Sequence, residues 1–162
     1  MELQERFETR KDVQAIYYRL IGNDYPTMDY GMAWEKIMEY AENQTLINKC
    51  GSEAEYISVY HDDPTVEHEI LRCDVCIAAP IISTLKPANG VGIETIKGGK
   101  FIVFLLKGAY SQLLDLYPEI YKRLGRGDVK PKSDTPVFEK YLNDPSTTPT
   151  DELLTEIWIP IE

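Results

Sequence analysis

The C-terminal segment "LLTEIWIPI" sets one carboxylate, Glu156, in an otherwise apolar run. Burying a charge there costs free energy unless a partner meets it. Glu156 is therefore the first candidate for chemistry. It could neutralise a cationic ligand, or act as a general acid or base with a pKa raised by burial. Asp74, inside "LRCDVCIAAPI", is a second acid in apolar surroundings. Cys73 and Cys76 in the same run form one CxxC pair, a zinc or redox signal when it opens a helix or recurs. Here it lies in a predicted strand, where residues three apart face opposite sides, and no second CxxC exists. Buried thiols packed as small hydrophobes are expected. His61 and His68 stand in "HDDPTVEH". The expectation there is a solvated loop, and neither a metal nor a cofactor is predicted. No Ser-His-Asp signature is present.

These residues need a scaffold, and the chain is long enough for one. Its 162 residues suit a single domain, 1–162, with a sizeable core. Hydrophobic residues make up 43% and charged residues 27%, as in ordinary globular chains. Acids outnumber bases 27 to 17, for a net charge of −10. That balance argues against direct nucleic-acid binding, which needs clustered Lys and Arg. No apolar run approaches the roughly 18 residues of a membrane span. The opening "MELQERFETR" has no apolar signal core, so a cytoplasmic location is expected.

The order of signals repeats. "VQAIYYRLIG", a helical segment "MDYGMAWEKIMEYAE", "EYISVY", the loop "HDDP" and "CDVCIAAPI" make the first half. "GGKFIVFLLKG", a helix in "SQLLDLYPEIYKRLG", "PVFEKYL", the loop "NDP" and "LLTEIWIPI" make the second. The helices rest on apolar stripes. Tyr30, Trp34, Ile37, Met38 and Ala41 form one; Leu113, Leu116, Tyr117, Ile120, Tyr121 and Leu124 form the other. Ser111 is the expected N-cap and Gly125 the expected stop of the second helix, with a kink or late start at Pro118. Each half begins with an extra strand, near "LQERFE" and "GIETI". The half-repeats run about 1–82 and 91–162, joined by a Pro/Gly/Asn-rich linker at about 80–92. The predicted class is α+β with pseudo-twofold symmetry. An antiparallel sheet would carry helices on one face and a ligand cleft on the other.

Matching the loops sets Tyr60 against Tyr141, and matching the last strands sets Asp74 against Glu156 and Cys76 against Trp158. Strand alternation then gathers Tyr56, Tyr60, Tyr141, Trp158, Asp74, Glu139 and Glu156 on one face. Leu153, Thr155, Ile157 and Ile159 fall on the other, core-facing side. Aromatic rings with carboxylates suit a lipophilic cation, through apolar area, cation–π attraction and charge.

The second-half string of GGK, then G-x-Y, then "YLNDP", then "TEIWIP" resembles GyrI-like small-molecule-binding domains. The first half, "IYYRLIGNDY…AWEKIMEYA" with "VYHDDPTVEHEILRCDVCIAA", resembles the same family. Such domains are the effector-binding parts of AraC- and MerR-type regulators and also occur alone. The resemblance implies duplicated β-α-β-β modules with a cleft for bulky, often cationic, aromatic molecules. It implies that Glu156 matches the glutamate that engages the cation, and that Tyr110 of "GAY" lies near the cleft. The first-half "GNDY" carries one extra residue, so Tyr25 departs from the pattern. The sequence opens directly on a strand signal, so the standalone form is expected.

The leading expectation is a module binding a hydrophobic or cationic small molecule through Glu156, Trp158, Tyr141, Tyr110, Tyr60 and Asp74. One alternative is a hydrolase of cyclopropane-containing genotoxins using Glu156 and a pocket tyrosine. Another is a protein-partner role modulating gyrase.

Overall fold

The structure, a computed structural model, describes residues 3–67, 70–80 and 82–162, with Ser83 described by its backbone alone. The chain is α+β and divides into two compact units. Asp12–Lys97 form a central unit; Met1–Lys11 and Gly98–Glu162 form a terminal unit. Strand β1 (Gln4–Arg10) belongs to the terminal unit and strand β2 (Val13–Gly22) to the central one.

In the central unit, β2 is followed by α1 (Tyr30–Asn43), α2 (Leu46–Cys50), β3 (Glu55–Tyr60), β4 (Leu71–Ala78) and β5 (Val91–Ile96). The strands lie in the order β3-β4-β2-β5, each pair antiparallel. The Asp29 side chain caps α1 by accepting from Met32 N–H, and Ala33, Ile37, Tyr40 and Ala41 are its buried residues. The sequence stripe is thus rotated slightly, leaving Trp34 and Met38 only partly buried. This helix packs with Ile16, Leu20, Cys73, Val75 and Ile77 in one core.

The terminal unit contains β1, β6 (Gly99–Lys107), α3 (Leu113–Leu124), β7 (Val137–Tyr141) and β8 (Leu154–Ile161). Its order is β1-β6-β8-β7, again antiparallel throughout. Leu116 and Ile120 of α3 pack on Ile102, Phe104, Leu106, Ile157 and Ile159. Gly125 caps the helix end as expected. Ser111 is not the cap: it lies in a 3-10 turn, Tyr110–Gln112, and Gln112 takes the cap position without a side-chain bond. Pro118 stays inside α3. Leu114, whose carbonyl Pro118 leaves without a donor, is 65% exposed, so water can serve it.

Each half's opening strand serves the unit built from the other half. β1 pairs with β6, and β5, which holds "GIETI", pairs with β2. Adjacent strands β1 and β2 are therefore not a hairpin, although only two residues separate them. The exchange sets which side chains reach the buried acids.

Candidate functional site

In the terminal unit the face away from α3 carries Glu156 and Trp158 of β8. Their ladder partners are Leu105 and Val103 of β6, and Lys140 and Phe138 of β7. Glu156 is 5% exposed. Its partner is Arg6 of the exchanged strand β1, with Nη2 2.6 Å from Oε2. Trp158 Nε1 donates to Glu156 Oε1 at 3.2 Å. Arg6 also meets Glu8 at 2.8 Å and lies 5.6 Å from the Trp158 ring centroid. Phe138 stacks on Trp158 at 5.4 Å, with Arg10 over both rings. The aromatic-plus-acid arrangement expected for an external cation thus holds the chain's own guanidinium groups.

The central unit repeats this plan with different parts. Asp74 is fully buried and receives a two-pronged bond from Arg19, Nε to Oδ1 and Nη2 to Oδ2, both 2.8 Å. His61 Nε2 lies 2.6 Å from Asp74 Oδ2. His61 extends β3 by one rung through its N–H bond to the Arg72 carbonyl, which turns its ring to the Asp74 face. Arg19 lies over the Tyr17 ring at 5.3 Å, and Glu94 of β5 approaches Arg19 at 3.8 Å. Burial alone would raise the pKa of Asp74. The Arg19 bonds, then His61, outweigh it and hold Asp74 well below the usual carboxylate range. Glu94 goes the other way, pushed up to about 8 by burial and then by its hydrogen bond and charge contact with Asp74. Cys76 Sγ sits 3.5 Å from Glu94 Oε1. Cys73 faces the opposite core, so the CxxC thiols are separated, buried and not joined in a disulfide, as expected.

The registers correct the expected grouping of tyrosines. Tyr141 pairs with Thr155 and Glu139 with Ile157, which puts both on the α3-covered face, opposite Glu156. Tyr60 pairs with Cys73, opposite Asp74, and Tyr56 with Ile77. Tyr60 packs edge-on against Tyr25 at 5.0 Å, and Tyr56 against Trp34 at 6.4 Å. Tyr110 packs edge-on against Tyr141 at 5.6 Å. A one-residue slip in pairing moves a whole strand's side chains to the other face.

The α3-covered face then holds a polar cluster that the sequence reading set on the opposite face. Glu139 is 2% exposed and accepts from Tyr117 Oη at 2.6 Å and Tyr141 Oη at 2.9 Å. Thr155, directly across from Tyr141, is fully buried, and its Oγ1 has no hydrogen-bond partner among the described residues. A buried hydroxyl without a partner is rare and marks a place where a polar group is wanted. Burial, then the Glu139 charge, raises the Tyr117 pKa well above its ordinary value. Burial, then Asp144 and Glu139, raises that of Tyr110. The signal available in sequence was "PVFEKY", an acid between aromatics at strand spacing.

His61, Asp74 and Glu94 are also the described residues that could hold a metal ion, with donor atoms all within 4.8 Å of one another. His68 lies outside the described residues.

Two antiparallel units of the same plan, each with a buried acid on one sheet face and a helix on the other, define a duplicated α+β domain. The chain belongs to the GyrI-like small molecule binding domain family, whose model matches residues 4–162. It is similar to the C-terminal domain of EcmrR, at 16% identity and a TM-score of 0.70, covering 100% of this chain and 99% of that one. In a complex of EcmrR with DNA the similarity has a TM-score of 0.75 at 16% identity and covers 99% of this chain. The chain spans 57% of that longer protein. SAV2435 bound to tetraphenylphosphonium is similar at 13% identity and a TM-score of 0.62, covering 100% of this chain and 94% of that one. No curated protein matches the sequence. Among the described residues no helix is long and apolar enough to cross a membrane.

Proposed function

We propose that this domain binds bulky aromatic cations, and that Glu139 rather than Glu156 supplies the charge that selects them. The carrying observation is a buried carboxylate held by two phenol hydroxyls, one of them Tyr141, which packs edge-on to the Tyr110 ring and lies across the ladder from the unpartnered Thr155 hydroxyl. Rings give a lipophilic cation apolar area and quadrupole attraction, and a carboxylate in a dry setting gives it charge. Glu156 is less suited, because a ligand cation there must displace Arg6 from a 2.6 Å contact. The tetraphenylphosphonium held by SAV2435 belongs to the ligand class proposed.

Calorimetric titration with tetraphenylphosphonium and with neutral triphenylphosphine oxide tests the assignment. Glu139→Gln should weaken the cation by about tenfold or more, near 1.4 kcal/mol, and the neutral compound by less than about twofold. Glu156→Gln should leave both close to wild type. Equal loss of both compounds in Glu139→Gln, or selective cation loss in Glu156→Gln, would overturn it.

A further inference from the structure

The two units can be superposed residue by residue through their ladders. Tyr17 pairs with Cys76 as Val103 pairs with Trp158, and Tyr60 with Cys73 as Tyr141 with Thr155. Carried outward, these pairs match Asp74 to Glu156 and Glu94 to Glu8. Both units therefore keep two acids in the same places. They differ in the third position: His61 of the central unit corresponds to Leu142 of the terminal unit, which is 43% exposed. The central unit alone combines an imidazole with the acid pair.

The geometry points to a divalent metal site formed by His61 Nε2, Asp74 Oδ2 and the Glu94 carboxylate, suited to a borderline ion such as Zn²⁺. These donors converge within 4.8 Å, and His61 Nε2 and Asp74 Oδ2 share a short contact of 2.6 Å. A carboxylate oxygen pair offers about four lone-pair directions. Arg19 takes one on each oxygen of Asp74, and the His61 contact uses another on Oδ2. A metal would enter there, separating His61 from Asp74 by several tenths of an ångström and leaving the Arg19 bonds as the outer support that orients the ligand. Cys76 Sγ, 3.5 Å from Glu94 Oε1, orients the third ligand in the same way. One imidazole and two carboxylates match the donor preferences of zinc. Three protein donors fall well short of the six to eight oxygens that Ca²⁺ takes. His61 and Glu94 have side chains 20% and 18% exposed, so an ion can arrive from solvent, while Asp74 at 0% anchors the inner side.

The test uses the full, tag-free chain stripped with chelator and titrated with Zn²⁺ against a chromophoric competitor. The expected result is one Zn²⁺ per chain with a Kd of about 1 µM or tighter, and a rise in Tm on binding. His61→Ala and Glu94→Gln should each weaken binding by about tenfold or more. His68→Ala should leave it within about twofold. Co²⁺ should give a visible absorption band that His61→Ala removes. Circular dichroism confirms that the variants fold; both side chains sit partly in solvent, so folding is expected to survive. Absence of one-to-one binding at that affinity overturns the site. So does a wild-type affinity in folded His61→Ala, or binding abolished by His68→Ala.

Discussion

Arg6 reaches Glu156 from the opposite end of the sequence, guanidinium to carboxylate at 2.6 Å. The contact exists because β1 pairs with β6, in a register that sets Arg6 against Val103, two residues along from the Leu105 partner of Glu156. In the central unit the matching acid, Asp74, is met from β2 instead, by Arg19 on the paired strand. Each unit thus neutralises its buried acid with its own arginine, placed differently. A buried acid in a repeated strand is first a folding problem, and here both copies solve it internally.

That relationship predicts a measurable coupling. Arg6→Ala leaves Glu156, 5% exposed, with the Trp158 N–H as its side-chain partner among the described residues. Removing one member of a buried pair costs several kcal/mol, but the Arg6 side chain is 43% exposed and water screens the pair. The expected loss is about 1–2 kcal/mol. Glu156→Gln alone should cost less, and the double variant should show a coupling of about 1 kcal/mol in urea denaturation. Additive single effects would mean that the contact carries no net stability.

Alkaline pH should find the buried phenols. Tyr25 Oη donates to the Asp62 and Arg72 carbonyls at 2.8 and 3.2 Å, and burial pushes its pKa up to about 12. Its folded value lies above the unfolded one of about 10. Its contribution to stability is therefore complete below pH 10 and is lost as pH rises from 10 to 12. Tyr117 shifts in the same direction, from burial and then the Glu139 charge. Absorbance at the tyrosinate band should show exposed tyrosines ionising first and these two last. Tyr25→Phe should flatten the fall in stability across that window. A single titration shared by all 11 tyrosines would contradict the buried placement.

Much of the element order was legible because it rests on local pattern. The run "VQAIYYRLIG" becomes β2 without change of limits, and matching the last strands correctly set Asp74 against Glu156. Register was not legible. Nothing local fixes whether Tyr141 faces Thr155 or Glu156, since the intervening loop decides it, and the one-residue difference moved Tyr60, Tyr141 and Glu139 to the helix-covered faces. The strand exchange was hidden for a related reason: "LQERFE" pairs equally well, by pattern, with either half. Helix α2 follows Thr45 at φ 52, a left-handed residue that no glycine announces. One signal was present and unused: Asn89-Gly90, both at positive φ, closes a tight turn from Ala88 to Val91.

Phe138 tests whether the two faces of β7 act independently. It is 1% exposed, stacks on Trp158 with an interplanar angle of 12°, and meets Phe101 edge-on at 5.5 Å. Its neighbour Glu139 points the other way, to Tyr117 and Tyr141. Phe138→Ala removes a buried ring and leaves a cavity that Trp158 and Phe101 fill only in part, so a loss of about 3–5 kcal/mol is expected in chemical denaturation. Measured well below the lowered Tm, tetraphenylphosphonium affinity should stay within about twofold of wild type, because the ring and the proposed carboxylate lie on opposite sides of the strand. A large affinity loss in a folded Phe138→Ala protein would place the ligand on the Trp158 face. It would return Glu156, with Arg6 displaced, to the role of cation partner.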